Sequence, residues 1–135
     1  MKRTFLLTIS LIFFSLQMIA QMNISTNLRE DMMYDEELED WLVLGTDEES
    51  VTFFEFNEEL TIFKHTTFSI TSSYIIKSQE EDEETGELRF SVISDVGNKY
   101  LMIIDTKEEL LRFVYERDET LYSVVHHIKK VWFDE

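Results

Sequence analysis

Residues 67–76 read TFSITSSYII, and their pattern decides the fold class. Phe68, Ile70, Tyr74 and Ile76 alternate with Thr67, Ser69, Thr71 and Ser73. That two-residue period belongs to a strand with one buried face and one wet face. The pattern repeats along the chain. Leu88, Phe90 and Val92 alternate with Arg89 and Ser91, and Tyr100, Met102 and Ile104 share one face of the next run. Leu101 and Ile103 make the other face of that run apolar too. Leu111, Phe113 and Tyr115, then Tyr122 and Val124, continue the series. Turn-like clusters at 57–59, 83–86, 95–98, 106–109 and 117–120 separate the runs, with Gly86, Gly97, Asn57 and Asn98 suited to tight backbone angles. The spacing predicts an all-β domain, an antiparallel meander of seven or eight strands closed as a small barrel or stacked as a sandwich.

Composition points the same way. The chain has no proline, no cysteine and three glycines, and its one alanine is Ala20. Valine, isoleucine, threonine and aromatic residues, which favour strands, are abundant, while the best helix former is almost absent. Aromatic side chains bury large areas and supply an ordinary core without disulfides.

The first residues stand apart. Lys2 and Arg3 precede an uncharged run at 4–16 (TFLLTISLIFFSL), and Met18, Ile19 and Ala20 precede Gln21. This order of basic, apolar and small is the layout of a secretory signal peptide. Cleavage is expected between Ala20 and Gln21, although Met18 is larger than the side chain preferred two positions before the cut. The run is shorter than the roughly 20 apolar residues that span a bilayer. The expected organisation is a cleaved signal at 1–20, an irregular or short-helical lead-in at 21–40, and a single β domain at 41–135. Exported, the protein is expected in the periplasm or outside the cell, with no membrane association after cleavage.

Removing 20 of the 135 residues leaves ten basic against twenty-eight acidic side chains, a net charge of −18. Such a surface repels phosphate backbones and anionic membranes, which argues against nucleic acid as a partner. It suits a basic protein, and it also maintains solubility. The loops at 57–59, 79–87 and 106–109 are expected at one end of the meander. The less acidic segments 46–50, 65–66, 95–98 and 117–120 are expected at the other.

Glu80, Glu81, Asp82, Glu83 and Glu84 form the densest acidic run and are weak cation candidates. Their spacing does not match a calcium loop, because placing Gly86 at its sixth position puts Val92 where a bidentate acid is needed. Adjacent His126 and His127 point to opposite faces of a strand, so the pair does not chelate one ion even with His65 nearby. No metal site or cofactor is assigned. No glycine-flanked nucleophile elbow and no phosphate-binding loop is present, and no catalytic residues are assigned.

Trp41 heading a strand run and the meander after it resemble the lipocalins in architecture alone. Glu39 and Asp40 precede Trp41 where that family has a glycine nearby, and no family membership is drawn. The resemblance implies room for a small apolar ligand. Trp132 and Phe133 are expected to supply one core anchor for the last strand. The expected function is a secreted or periplasmic, non-catalytic binding or interaction domain. The alternatives are an envelope scaffold or assembly component, or an acidic inhibitor of a basic secreted protein.

Overall fold

The computed structural model describes residues 21–50 and 52–134. The expected signal segment, with Ala20, lies outside the described residues, and Gln21 opens the first strand. Nine strands follow: β1 (Gln21–Asp35), β2 (Asp40–Glu48), β3 (Phe53–Phe56), β4 (Ile62–Thr66), β5 (Thr71–Glu81), β6 (Leu88–Ser94), β7 (Lys99–Asp105), β8 (Leu110–Arg117) and β9 (Thr120–Asp134). Every pairing is antiparallel. Strands β3 to β9 pair in sequence order, and β1 joins β9 to β3. The result is a closed eight-strand barrel carrying one extra strand, β2.

Inward side chains fill the barrel. Ile24, Phe54, Phe56, Phe63, Phe90, Met102, Ile104, Leu111 and Phe113 form one cluster at 5% exposure or less. Eight strands enclose a space that side chains of this size can fill. Phe113 alone lies within 6.4 Å, centroid to centroid, of Phe54, Phe63, His65, Tyr74, Tyr100 and His126. One end of the barrel is stoppered by Leu60. This residue sits in the β3–β4 turn at φ 54° and is 1% exposed. Asn57 shapes that turn, its side-chain oxygen accepting from the Thr61 and Ile62 amides at 2.9 and 3.1 Å.

Four expectations are corrected, the last of them at segment 46–50. Residues 21–40, read as an irregular or short-helical lead-in, contain the joint-longest strand of the sheet and the turn into β2. The acidic stretch there is wet because it lies toward the open end, and its backbone is held by β9 and β2 on either side. Phe68 and Ile70 do not share a buried face with Tyr74 and Ile76. They belong to the β4–β5 turn, closed by the Thr67 amide donating to the Ile70 carbonyl at 2.8 Å, and are 87% and 63% exposed. Neither Trp132 nor Phe133 enters the core. Trp132 meets Phe53 edge-on at 6.2 Å, and Phe133 stays exposed. Their contribution is to the seam, where Asn23 pairs with Trp132 and donates to Asp134 at 2.8 Å.

Strands β2 and β3 are two halves of one line. Both run antiparallel to β1 on the same edge, β2 along 28–35 and β3 along 22–25. The Glu49 amide donates to Asn27 at 3.0 Å and the Thr26 amide to Thr52 at 3.2 Å, carrying the ladder across the interruption. Segment 46–50, expected as an end loop, therefore lies in the middle of the wall. Below the break β3 continues the barrel to β4. Above it β2 leans out on β1 with no second neighbour among the described strands.

Candidate functional site

The open end of the barrel begins where the filled core stops. The upper inward positions carry His65 on β4, Tyr74 on β5, Tyr100 on β7, Tyr115 on β8 and His126 on β9. Together with Arg29 and Arg117 they line a cavity of about 380 Å³. It opens at the end formed by the β4–β5, β6–β7 and β8–β9 turns; the β1–β2 turn with Asp35, Glu36, Glu37 and Glu39 lies at this end too, so this end is more acidic than expected from the sequence. A broader depression of about 590 Å³ runs along the outer wall past Ile93, Leu101, Val114 and Leu121. It reflects the doubly apolar face of β7 and also takes in Lys77, Lys99 and Glu116.

The base of the cup is a buried polar cluster built on the β2–β3 break. His126 and Glu49 side chains are 2% and 9% exposed, with Nδ1 and Oε1 2.9 Å apart. The Thr26 hydroxyl donates to the same Glu49 oxygen at 3.0 Å. Burial works to raise the Glu49 pKa. The hydrogen bond and charge of His126, with the hydroxyls of Thr26 and Thr52, outweigh it and hold the carboxyl below its ordinary value. His126 in turn meets the Phe54 ring edge-on at 5.3 Å.

His65 completes the floor. Its ring stacks on Phe54 at 4.2 Å and stands edge-on to His126 at 5.5 Å. Its Nε2 is covered and has no hydrogen-bond partner. Burial first, then the neighbouring His126, pushes its pKa down to about 4; Glu49 pulls the other way, by more than Arg29 adds. His65 is thus neutral at pH 7.

The upper wall is phenolic and cationic. Tyr74, Tyr100 and Tyr115 form a run of edge-on contacts at 6.2 and 5.6 Å, and their hydroxyls make no hydrogen bond to a described residue. Burial first, then Tyr100 and Asp95, raises the Tyr74 pKa. The Arg117 guanidinium sits 5.5 Å above the Tyr115 ring. Arg29 is held by Asp31 at 2.9 Å. These groups can bind and orient a molecule, since they offer aromatic walls, free phenols and two cations.

The acidic run expected as a weak cation candidate is distributed otherwise. Glu80 and Glu81 end β5, and Asp82, Glu83 and Glu84 enter the turn to β6. Asp82 accepts from the Glu84 and Thr85 amides at 2.9 and 3.3 Å. Arg89 reaches Glu87 at 2.9 Å and Asp82 at 3.4 Å, and Glu87 also holds Arg112 at 3.1 Å. Among the described residues no three His, Cys, Asp or Glu side chains are grouped as a metal ion requires.

His126 and His127 do face opposite sides, the latter meeting Glu30 on the outer wall. Sequence reasoning missed Glu49, Arg29 and the tyrosine wall. The alternation of Tyr100 with Met102 and of Tyr115 with Phe113 carried part of that signal. Glu49 carried none, because its place depends on the wall break. Comparison with family models, with curated proteins and with solved structures finds no match.

Proposed function

We propose that the protein is an exported, non-catalytic binding domain whose cup takes a small molecule with an aromatic or apolar body and an anionic head. The observation that carries this reading is the 380 Å³ cavity over a filled core, lined by three unpartnered phenols and two arginines. Its volume falls in the range of small-molecule sites, roughly 300–1,000 Å³. The lining is mixed rather than apolar, so the fully apolar ligand implied by a lipocalin-like calyx fits it less well. Arg117, which has no carboxylate partner among the described residues, favours an anion locally, while Arg29 is already paired with Asp31. The non-catalytic reading rests on the sequence, which has no nucleophile elbow or phosphate-binding loop.

The test titrates the purified chain with anilinonaphthalene sulfonate and with its uncharged phenylnaphthylamine counterpart. Saturable one-site binding of the sulfonate is expected, weakened by Arg117→Ala while the neutral probe is unaffected. Ser72→Trp, which puts an indole into the cup in place of a small lining side chain, should weaken both. Unsaturable binding, or binding indifferent to both substitutions, refutes the proposal. Export is checked separately by mass spectrometry of the secreted chain, whose first residue should be Gln21.

A further inference from the structure

We infer that the outer edge of β2 receives an extended segment of a basic protein partner as an added strand. Closure of a barrel removes strand edges, and an open edge in a closed barrel is a surface that pairs with other chains. Here eight strands close, and β2 then restores an edge by pairing with β1 alone. Among the described residues no turn or loop backbone bonds the backbone of 40–48, and the one side-chain bond there is the Trp41 amide donating to Asp40 at 2.8 Å. The side chains beside that edge are ready for contact. Val43 and Leu44 are 54% and 59% exposed, and Trp41 and Leu42 are half-buried. Val43 and Gly45 pair with Met32 and Asp31, so Leu44 is a bulge that divides the edge into two four-residue stretches.

Charge selects the occupant. Between Arg29 and Lys64 the chain has thirteen acidic residues and no basic one. Asp40, Asp47 and Glu48 lie on β2 itself, and Glu36, Glu37 and Glu39 crown its turn. A second copy is the wrong partner. Antiparallel self-pairing about Leu44 sets Asp40 against Glu48, and parallel pairing sets each acid against itself. Like charges directly opposite are destabilising in a sheet. A lysine- or arginine-bearing strand with apolar alternate positions reverses that sign and covers Val43 or Leu44. Main-chain bonds then supply affinity and the flanking acids supply selection. This surface is separate from the cup, and its test does not depend on the ligand there.

The experiment titrates the full chain with two labelled nine-residue peptides, one alternating lysine and valine, the other alternating glutamate and valine. Amide exchange of residues 40–48 is followed by NMR. The lysine peptide should bind with slowed exchange along β2, and its affinity should fall as salt rises. Joint replacement of Asp40→Lys, Asp47→Lys and Glu48→Lys should weaken it about tenfold, the sum of a few exposed charge pairs, with circular dichroism unchanged. Equal affinity for both peptides overturns the inference. So does binding of the lysine peptide without protection at 40–48, or a free chain that dimerises through β2.

Discussion

Acidification should unfold this protein through His65. The ring is buried against Phe54 and faces His126, Glu49 and Arg29, so its folded pKa of about 4 lies well below the ordinary histidine value. The unfolded chain therefore binds more protons between pH 6.5 and 4, and stability falls as pH drops through that window. Below pH 4 the penalty is complete. Integrated from pH 7 to pH 5, the His65 contribution to the loss is about 2 kcal/mol, or about 8 °C in Tm for a domain of this size.

The check is His65→Phe, which keeps the stack on Phe54 and removes the titrating nitrogen. Urea unfolding of both chains is followed by tryptophan fluorescence at pH 7 and pH 5. Carboxylates, His126 and His127 remain in both proteins, so the difference between the two pH responses isolates position 65. The variant should lose about 2 kcal/mol less than the natural chain. His65→Gln, which also does not titrate here, should behave the same way even where its absolute stability differs. Parallel pH responses in all three chains would refute the reasoning.

Three further perturbations probe the frame. Glu49→Ala strips the acceptor from His126 and Thr26; an unsatisfied buried donor costs about 1–3 kcal/mol, read in urea at pH 7, and an unchanged midpoint would contradict the cluster. Phe113→Ala empties the centre of the aromatic packing and should cost about 3–5 kcal/mol, measured calorimetrically. Deleting 132–135 removes the Gln21–Asp134, Met22–Phe133 and Asn23–Trp132 pairings with the Phe53 contact. It should cost at least about 2 kcal/mol, and a truncated chain of full thermal stability would show that the seam closes without it.

The fold was legible where periodicity and turn chemistry agreed, as in β6, β7 and β8. It was obscured at 21–40 because acidic residues there serve two purposes. Asp35, Asp82 and Asp105 each accept from the amides two and three residues on, in three similar turns. Four residues after each stands a positive-φ position, Glu39 at 50°, Gly86 at 77° and Glu109 at 58°. The pattern was readable at Gly86, where glycine marks the backbone angle. It was hidden at Glu39, where glutamate adopts the same angle at some steric cost. Reading 35–39 as the counterpart of 82–86 would have revealed the β1–β2 hairpin and turned a lead-in into wall.

The same hairpin explains why one end of this barrel is open and the other is not. A single uninterrupted strand in place of β2 and β3 would run beside β1 and carry β4 upward with it, closing the wall above His65. Instead the ladder on β1 is interrupted between Glu49 and Thr52, the Glu49 carboxylate turns inward to His126, and β2 departs from the barrel. Aromatic packing below the break is sealed by Leu60. Above it, with one wall strand missing, Tyr74 and Tyr100 rest their rings on the top of the core, and no described residue partners their hydroxyls. The cup and the free edge are thus two faces of one event in the sequence, and a substitution that straightened 49–52 should remove both together. Glu49→Val tests this, since valine favours extended backbone and has no bond to offer His126. Loss of sulfonate binding together with lysine-peptide binding is the expected outcome, and loss of one alone would separate the two surfaces.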